Sequence, residues 1–381
     1  MKQSVSQKRF IVPLFIPHQG CPHRCVFCNQ ERITSRPEGL PSVSEIRDRI
    51  RSFLGTFNGR ARRREVAFYG GSFTALRPVE QESLLRAVRP FVEERMIDGL
   101  RVSTRPDAID RSRLDLLWRY NVETVELGAQ SMVDRVLKTC ERGHSSGDVV
   151  RSVGLLRSMG FEVGIQIMLG LPGEDMDLFL TTVRRVIDLA PDCVRIYPLL
   201  VLSGSPLEGL YRKGSYAPIP LLEAVRWAKE ALRRFEQARI PVIRMGLQAT
   251  PELEDGETIV AGPFHPAFRS LVESSIFYDM ACRLLEAWGM RERQRARFQV
   301  APEDLAHLKG ERKENVTRLR DTHALESVEV ISDPRIPQGS LVLETDRGDL
   351  VVSREDLEIE SLLRYGRSLS VVGGAPERGY H

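Results

Sequence analysis

Six short apolar runs rich in β-branched residues, each followed by a stretch of helical periodicity, occupy the first half of the chain. The runs cover residues 10–16, 65–69, 100–103, 122–127, 161–168 and 193–197; the helical patterns cover 43–54, 78–95, 111–119, 131–139, 147–159 and 175–189. Strands alternating with helices at this spacing pair in parallel, because a parallel pair needs a crossover long enough to hold a helix. Right-handed crossovers then put the helices on the outside of one sheet. Ser42 and Ser146 mark helix starts, and Gly55 and Gly160 lie just past helix ends. The expected class is therefore α/β, with a parallel sheet whose closure periodicity alone does not fix.

Directly after the first run, three of the six cysteines fall in one window, Cys21, Cys25 and Cys28, spaced CxxxCxxC. Zinc takes four ligands, usually from two well-separated pairs, and no second pair follows, so a zinc loop would need His18 or His23 as its fourth ligand. Three thiolates on one tight loop suit a cubane iron–sulfur cluster better, each sulfur holding a different iron. The fourth iron is then open to a chelating ligand. Phe27, between the last two cysteines, supplies a flat apolar ring of a kind that covers an adenine.

A CxxxCxΦC spacing with an aromatic residue before the last cysteine resembles the signature of the radical S-adenosylmethionine (SAM) superfamily. That resemblance implies a 4Fe-4S cluster on Cys21, Cys25 and Cys28, SAM chelated to the open iron, and one-electron cleavage of SAM to a 5′-deoxyadenosyl radical. It also implies a partial (β/α)6 TIM-like barrel with the cluster loop after the first strand. Sites in such barrels gather at the C-terminal ends of strands. There, Gly70, Gly71 and Ser72 resemble the GGE-type motif that receives the SAM amino group, with a serine in the acidic position. Arg105, Glu126 and Gln130 are suited to carboxylate and ribose contacts, a structural ion pair or cap being the competing reading for each. The turn from Gln166 through Gly170 resembles the stretch flanking the adenine, and Tyr197 and Leu199 would stand near the same base.

The order Thr104-Arg105-Pro106-Asp107, Glu126 to Ser131, Arg142-Gly143-His144, Gly170-Leu171-Pro172-Gly173 and Tyr197-Pro198-Leu199 looks like the radical domain of the Elongator catalytic subunit, over residues 8–250. No counterpart of that subunit's acetyltransferase domain is expected in the roughly 130 residues after position 250, which lack its glycine-rich loop and its length. The resemblance implies a tRNA base as substrate, with an external electron donor such as flavodoxin or ferredoxin. Two alternatives stand beside it. One is a tetrapyrrole-acting enzyme related to oxygen-independent coproporphyrinogen oxidases, and the other a cluster- or haem-binding protein without turnover.

The expected organisation is a radical core at 1–250, a loop and helical extension at 251–292, a module at 293–335 and C-terminal strands with a loose tail at 336–381. The module's strand–helix–turn–helix–strand order resembles a degenerate KH unit with Gly310 opening its turn, although Lys313 stands in place of the second glycine and Glu311 sets a negative charge where phosphate would lie. A plain helix–turn–helix is the competing reading. Cys140 reads either as a hydrogen-atom donor or auxiliary ligand at the site or as a small buried hydrophobe; Cys193 and Cys282 read as the latter. His18 and His23 flank the cluster and would tune its potential.

No apolar run is long enough to span a membrane and no secretory h-region precedes the cysteine loop, so a cytoplasmic protein with no membrane partner is expected. The net charge of +3 names no partner, and the surplus of arginine over lysine points either to a phosphate-binding surface or to a GC-rich genome. Replacing Cys21, Cys25 and Cys28 together by alanine is expected to abolish bound iron and the brown colour of the purified protein. Iron retained at wild-type stoichiometry in that variant would overturn the cluster assignment.

Overall fold

The computed structural model describes residues 9–16, 21, 23–29, 39–59, 63–247, 258–289, 294–346, 348–356 and 370–372. His18 and the segments 251–257 and 373–381 of the expected loop and tail lie outside these. Packing divides the chain into two units, one of residues 1–224 with 238–266 and one of residues 225–237 with 267–381.

The first unit is built on a parallel sheet: β1 (Arg9–Phe15), β2 (Arg63–Tyr69), β3 (Gly99–Thr104), β4 (Val122–Gln130), β5 (Glu162–Leu169), β6 (Cys193–Pro198) and, after a short strand β7 (Val201–Leu202), β8 (Val242–Met245). The order β1-β2-β3-β4-β5-β6-β8 never reverses. With right-handed crossovers an unreversed order keeps every helix on one face and curls the sheet into a partial TIM barrel, open between β1 and β8. The expectation of six barrel strands thus gains a seventh. Its four residues after Pro241, with Ile243 exposed, are too short a run to stand out by periodicity.

The crossover helices are α1 (Val43–Gly55), α2 (Pro78–Glu93), α3 (Arg111–Arg119), α4 (Asp134–Thr139), α5 (Ser146–Ser158) and α6 (Met176–Asp188). Two start with capping boxes, Ser42 with Glu45 and Ser145 with Asp148, which satisfy amide N–H groups that the first helical turn leaves unpaired. Pro13 sits on the edge strand β1, where a missing N–H is tolerated, and Arg49 of α1 donates from Nε to its carbonyl at 3.0 Å. After β7, α7 (Pro206–Arg212) and α8 (Leu221–Gln237) follow, and the expected loop beyond residue 251 contributes β9 (Ile259–Ala261), antiparallel to β7.

The helix-covered face of the sheet is apolar at Val12, Val66, Val102, Val125 and Ile165, while the alternate residues face the barrel interior, where one layer is charged. Arg101 of β3, 1 % exposed, donates from Nε to Glu65 Oε2 of β2 at 2.9 Å and from Nη1 to Glu126 Oε1 of β4 at 2.7 Å. Arg9 of β1 bonds Glu65 at 2.8 Å, and Arg195 of β6 stands 2.6 Å from Glu126 Oε2. The Arg195 Nε–H does not point along that line, so the contact is one of charge, and the hydrogen bond to Glu126 comes from Nη2 at 3.1 Å. Buried charges persist only when paired in this way.

In the second unit, α9 (Phe268–Trp288) packs with a five-stranded sheet ordered β11-β10-β12-β13-β14. The strands are β10 (Arg295–Val300), β11 (Ser327–Ser332), β12 (Ser340–Glu344), β13 (Asp349–Ser353) and β14 (Ser370–Val372). β10 and β11 are parallel, connected through α10 (Leu305–Lys309) and α11 (Glu314–Thr322), and the other pairs are antiparallel. The tail expected to be loose therefore supplies a strand. Arg354 ties Glu236 of α8 to Glu273 of α9.

Arg101→Met would leave Glu65 and Glu126 with fewer cationic partners in a buried layer. The expected loss is about 3 kcal/mol of unfolding free energy, read from the denaturant midpoint. A loss below about 1 kcal/mol would show that the layer is not structural.

Candidate active site

The cysteine loop leaves the C-terminal end of β1 and is tied down on both sides by backbone. Val26 N–H donates to the Cys140 carbonyl at the end of α4 (3.2 Å), and the Val26 carbonyl accepts from Leu207 N–H at the start of α7 (2.7 Å). Beneath the loop Val26, Cys140, Leu171, Leu199 and Leu207 form an apolar cluster against which Phe27 packs. Cys140 is therefore core: it is 1 % exposed, it does not line the cavity above, and burial pushes its thiol up to about 12. Cys193, also buried, is pushed up to about 12 for the same reason.

A cavity of about 1430 Å3 opens at the C-terminal ends of the strands. Cys21, Cys25, Cys28 and Phe27 line it, together with Gly70, Gly71 and Ser72 after β2, Arg105 after β3, Glu126 and Gln130 of β4, Gln166 of β5, Tyr197 of β6 and Leu199. The structure thus brings together all the residues expected to hold the cluster or contact SAM except Gly170. That glycine, at φ +81°, belongs to a supporting turn: its carbonyl accepts from the Tyr216 hydroxyl at 2.8 Å, and its N–H and that of Leu171 donate to Glu174.

The lining residues are held in different ways. Cys21 Sγ lies 3.2 Å from Ser72 Oγ, so the serine in the acidic position faces the cluster loop directly. Arg105 grips both Asp107 oxygens, at 2.9 and 3.1 Å, and reaches the Arg142 carbonyl at 2.6 Å, while its Nη1 is buried with no partner among the described residues. A donor in that state is suited to an incoming carboxylate. Gln130 takes φ +66° where the β4–β5 register slips, and its side-chain oxygen accepts from Gln166 Nε2 at 3.3 Å. Glu126 is held by Arg101 and Arg195, so the ion-pair reading applies to it even though it lines the cavity. Burial and Glu126 together push the Tyr69 phenol well above its usual range.

Sequence reasoning passed over Arg142 as a site residue, although it noted the Arg142-Gly143-His144 motif. Arg142 Nη1 donates to Cys25 Sγ at 3.4 Å and Nη2 to the Gly128 carbonyl at 2.7 Å. Gly143, at φ +77°, sits where a Cβ would fall within 2.5 Å of the His23 ring. His144 contacts the Ala129 carbonyl at 3.2 Å; burial, then Arg142 and Arg105, push its imidazole down to about 4, leaving it neutral at neutral pH. The signal available in the sequence was an arginine–glycine pair distant from the cysteines, and nothing in its spacing names a cysteine as its target.

A family model of the Radical SAM superfamily matches residues 15–186, and one of the Radical SAM C-terminal domain matches residues 191–277. The chain belongs to the radical SAM superfamily. It is an enzyme of that group, and its cofactors are a 4Fe-4S cluster and SAM. Radical SAM enzymes need an electron donor. The chain is 30% identical over 230 residues to an uncharacterized protein of Methanocaldococcus jannaschii, covering 57% of this chain and 69% of the relative. It is 28% identical to the tRNA uridine(34) acetyltransferase of Methanocaldococcus infernus, over 53% of this chain and 39% of that one. It is likewise 28% identical to Elongator complex protein 3 of Schizosaccharomyces pombe, over 49% and 35%. The chain thus spans well under half the length of these two named relatives. The archaeal Methanocaldococcus infernus Elp3 with an N-terminal deletion shares the fold, with a TM-score of 0.55 at 19% identity over 91% of this chain and 74% of that one.

The donors present fit the two cofactors: three sulfurs on one loop, an unpartnered buried guanidinium N–H and an apolar ring share one cavity. Among the described residues no three His, Cys, Asp or Glu side chains converge tightly enough for a single metal ion. A cubane places each sulfur on a separate iron and so spans a wider set. No helix among the described residues is long and apolar enough to cross a membrane.

Glu174 gives this region a pH signature. Burial pushes its carboxyl up to about 8, offset in part by the N–H groups of Leu171 and Gly170. A carboxyl whose folded value is raised contributes its full stability below its ordinary value of 4.5, and that contribution is lost as pH rises to about 8. Glu174→Gln should remove this dependence, so its stability relative to wild type should rise between pH 5 and pH 8.5 in thermal melts. Parallel curves for the two proteins would show that Glu174 ionises freely.

Proposed function

We propose that the chain uses its cluster and SAM to act on a base of RNA, in a tRNA, within the cavity at the mouth of the barrel. The observation that carries this reading is the charge of the lining. Among the described residues, six arginines, Arg24, Arg49, Arg105, Arg142, Arg195 and Arg244, border the cavity against one carboxylate, Glu126, which is itself neutralised by Arg101 and Arg195. A cationic, partly enclosed site concentrates polyanions. At about 1430 Å3 the cavity also exceeds the ~300–1000 Å3 of a single-ligand site, leaving room for a second reactant beside SAM. The names of the tRNA uridine(34) acetyltransferase relatives support the same substrate class.

When bound, the cluster and SAM supply one-electron reductive cleavage of SAM. In this reading Cys21, Cys25 and Cys28 hold the cluster, and Arg105 Nη1 receives the SAM carboxylate. The turn Gly70-Gly71-Ser72 receives the amino group through backbone carbonyls, and Phe27, Tyr197 and Leu199 enclose the adenine. Gln130 and Gln166 orient the ribose as a bonded pair. Glu126 acts as the floor of the site, fixing Arg195 and Tyr69. The electron comes from an external one-electron carrier such as flavodoxin or ferredoxin.

The second unit supplies a candidate backbone clamp in the turn from Gly310 to Lys313, as in a KH-like module. Lys313, in the place of a second glycine, takes φ +66°, the left-handed conformation that glycine adopts most easily. Asn315 Nδ2 braces the turn by donating to the His307 carbonyl at 3.3 Å.

Two measurements test the reading. Reduced, reconstituted protein given SAM should release 5′-deoxyadenosine, and its absence would refute the enzyme reading. Retention of tRNA on filters should fall at least about tenfold between 50 and 200 mM salt, with Arg244→Gln lowering the log–log slope by about one. Salt-independent or absent retention, together with a haem absorption band, would transfer the cationic lining to the carboxylates of a tetrapyrrole.

A further inference from the structure

The Arg142-Gly143-His144 turn holds no part of SAM in the reading above, yet it is built against the cluster loop at two points and anchored at a third. Arg142 reaches the Cys25 sulfur, Gly143 has no side chain because the His23 ring fills that space, and His144 anchors the turn to the end of β4. The guanidinium itself is fixed from both ends of the residue. Its Nη2 is bonded to Gly128 O at 2.7 Å, and its own carbonyl accepts from Arg105 Nη2 at 2.6 Å. We propose that Arg142 is a positioning residue for the cluster, setting its reduction potential through a charge-assisted hydrogen bond to the sulfur of Cys25.

The physical argument concerns where the added charge goes. Reduction brings one electron, supplied by the external carrier, into a centre whose negative charge is shared with its thiolate sulfurs. An N–H donor carrying a full positive charge stabilises the reduced form more than the oxidised form and so raises the potential. The effect is strong here because neither group is solvated: Cys25 is 3 % exposed and Arg142 7 %. The three sulfurs are not equivalent in this respect. Among the described residues, the hydrogen-bond partner of Cys21 is the neutral Ser72 hydroxyl at 3.2 Å. The turn also places Arg142 between two spaces. It lines the main cavity and, with His23, Lys138 and His144, a separate hollow of about 560 Å3 on the surface. The donor is thus held between the cysteine loop and the protein exterior, and the backbone bonds to Gly128 and Arg105 keep the fork aimed at sulfur. A longer or shorter side chain at this position would lose one of its two acceptors.

The inference rests on Cys25 being a cluster ligand, and the test separates the two ideas. Reconstituted wild type, Arg142→Gln and Arg142→Lys are titrated redox-potentiometrically with the reduced cluster followed by EPR, after iron and sulfide are counted per chain. Arg142→Gln should titrate at a more negative potential than wild type, and Arg142→Lys, which keeps the charge but not the fork, should fall between them. Full iron content with an unchanged potential in Arg142→Gln overturns the proposal and leaves the cluster assignment intact. Loss of all iron in the Cys21, Cys25 and Cys28 variants but not in wild type keeps that assignment separately secure. Should Arg142→Gln hold no iron, wild type grown on 15N-arginine decides. Pulsed EPR of its reduced cluster should show a 15N coupling that persists in Arg24→Gln, and absence of that coupling overturns the proposal.

Discussion

Everything at the mouth of this barrel stands on the charged layer beneath it. Arg101 of β3 bonds carboxylates on both neighbouring strands, Glu65 and Glu126, and those are met in turn by Arg9 from the edge of the sheet and Arg195 from β6. A barrel that is open between β1 and β8 cannot rely on a closed ring of backbone hydrogen bonds to fix its curvature. Side-chain ion pairs that cross from strand to strand do part of that work. They are stable because both partners are buried together, whereas removing one would leave the other uncompensated. The same layer sets the electrostatics above it: Glu126 is consumed from below, and the cavity is left with a surplus of arginines.

The cysteine loop depends on a second, apolar foundation. Val26 lies between two loop cysteines and is bonded through its backbone to the end of α4 and the start of α7, over a cluster containing Cys140, Leu171 and Leu207. Cys140 contributes there as a small hydrophobe, which is why its thiol is pushed up rather than poised for chemistry. The Gly170 turn does a similar job at a distance. It carries Glu174 and receives Tyr216, and it shapes the core below the loop without reaching the cavity.

The membership in the radical SAM superfamily gives the cluster and SAM their chemistry, while the surrounding side chains decide how that chemistry is held. Two residues that read alike in the sequence, as polar groups at strand ends, have different fates. Arg105 keeps one buried donor with no partner among the described residues, whereas Glu126 is paired with Arg101 and Arg195. Glycine at 143 is explained by a neighbour more than a hundred positions earlier, His23.

The sequence by itself determined the strand–helix alternation, the parallel sheet and the triad of cysteines, because each is local. Hydrophobic period, caps and spacing are written in consecutive residues, and the turns after β2, β4 and β6 follow their strands without interruption. The four-residue β8 and the strands β9 and β14 escaped because runs so short carry too little periodicity and are made by pairing with a distant partner. Only the tertiary structure decided which polar side chains face a ligand and which face each other. Arg142 meets Cys25 across 117 positions, and Arg195 meets Tyr69 across 126. Such pairs depend on how the strands curve and register, a property of the assembled barrel that no single segment encodes.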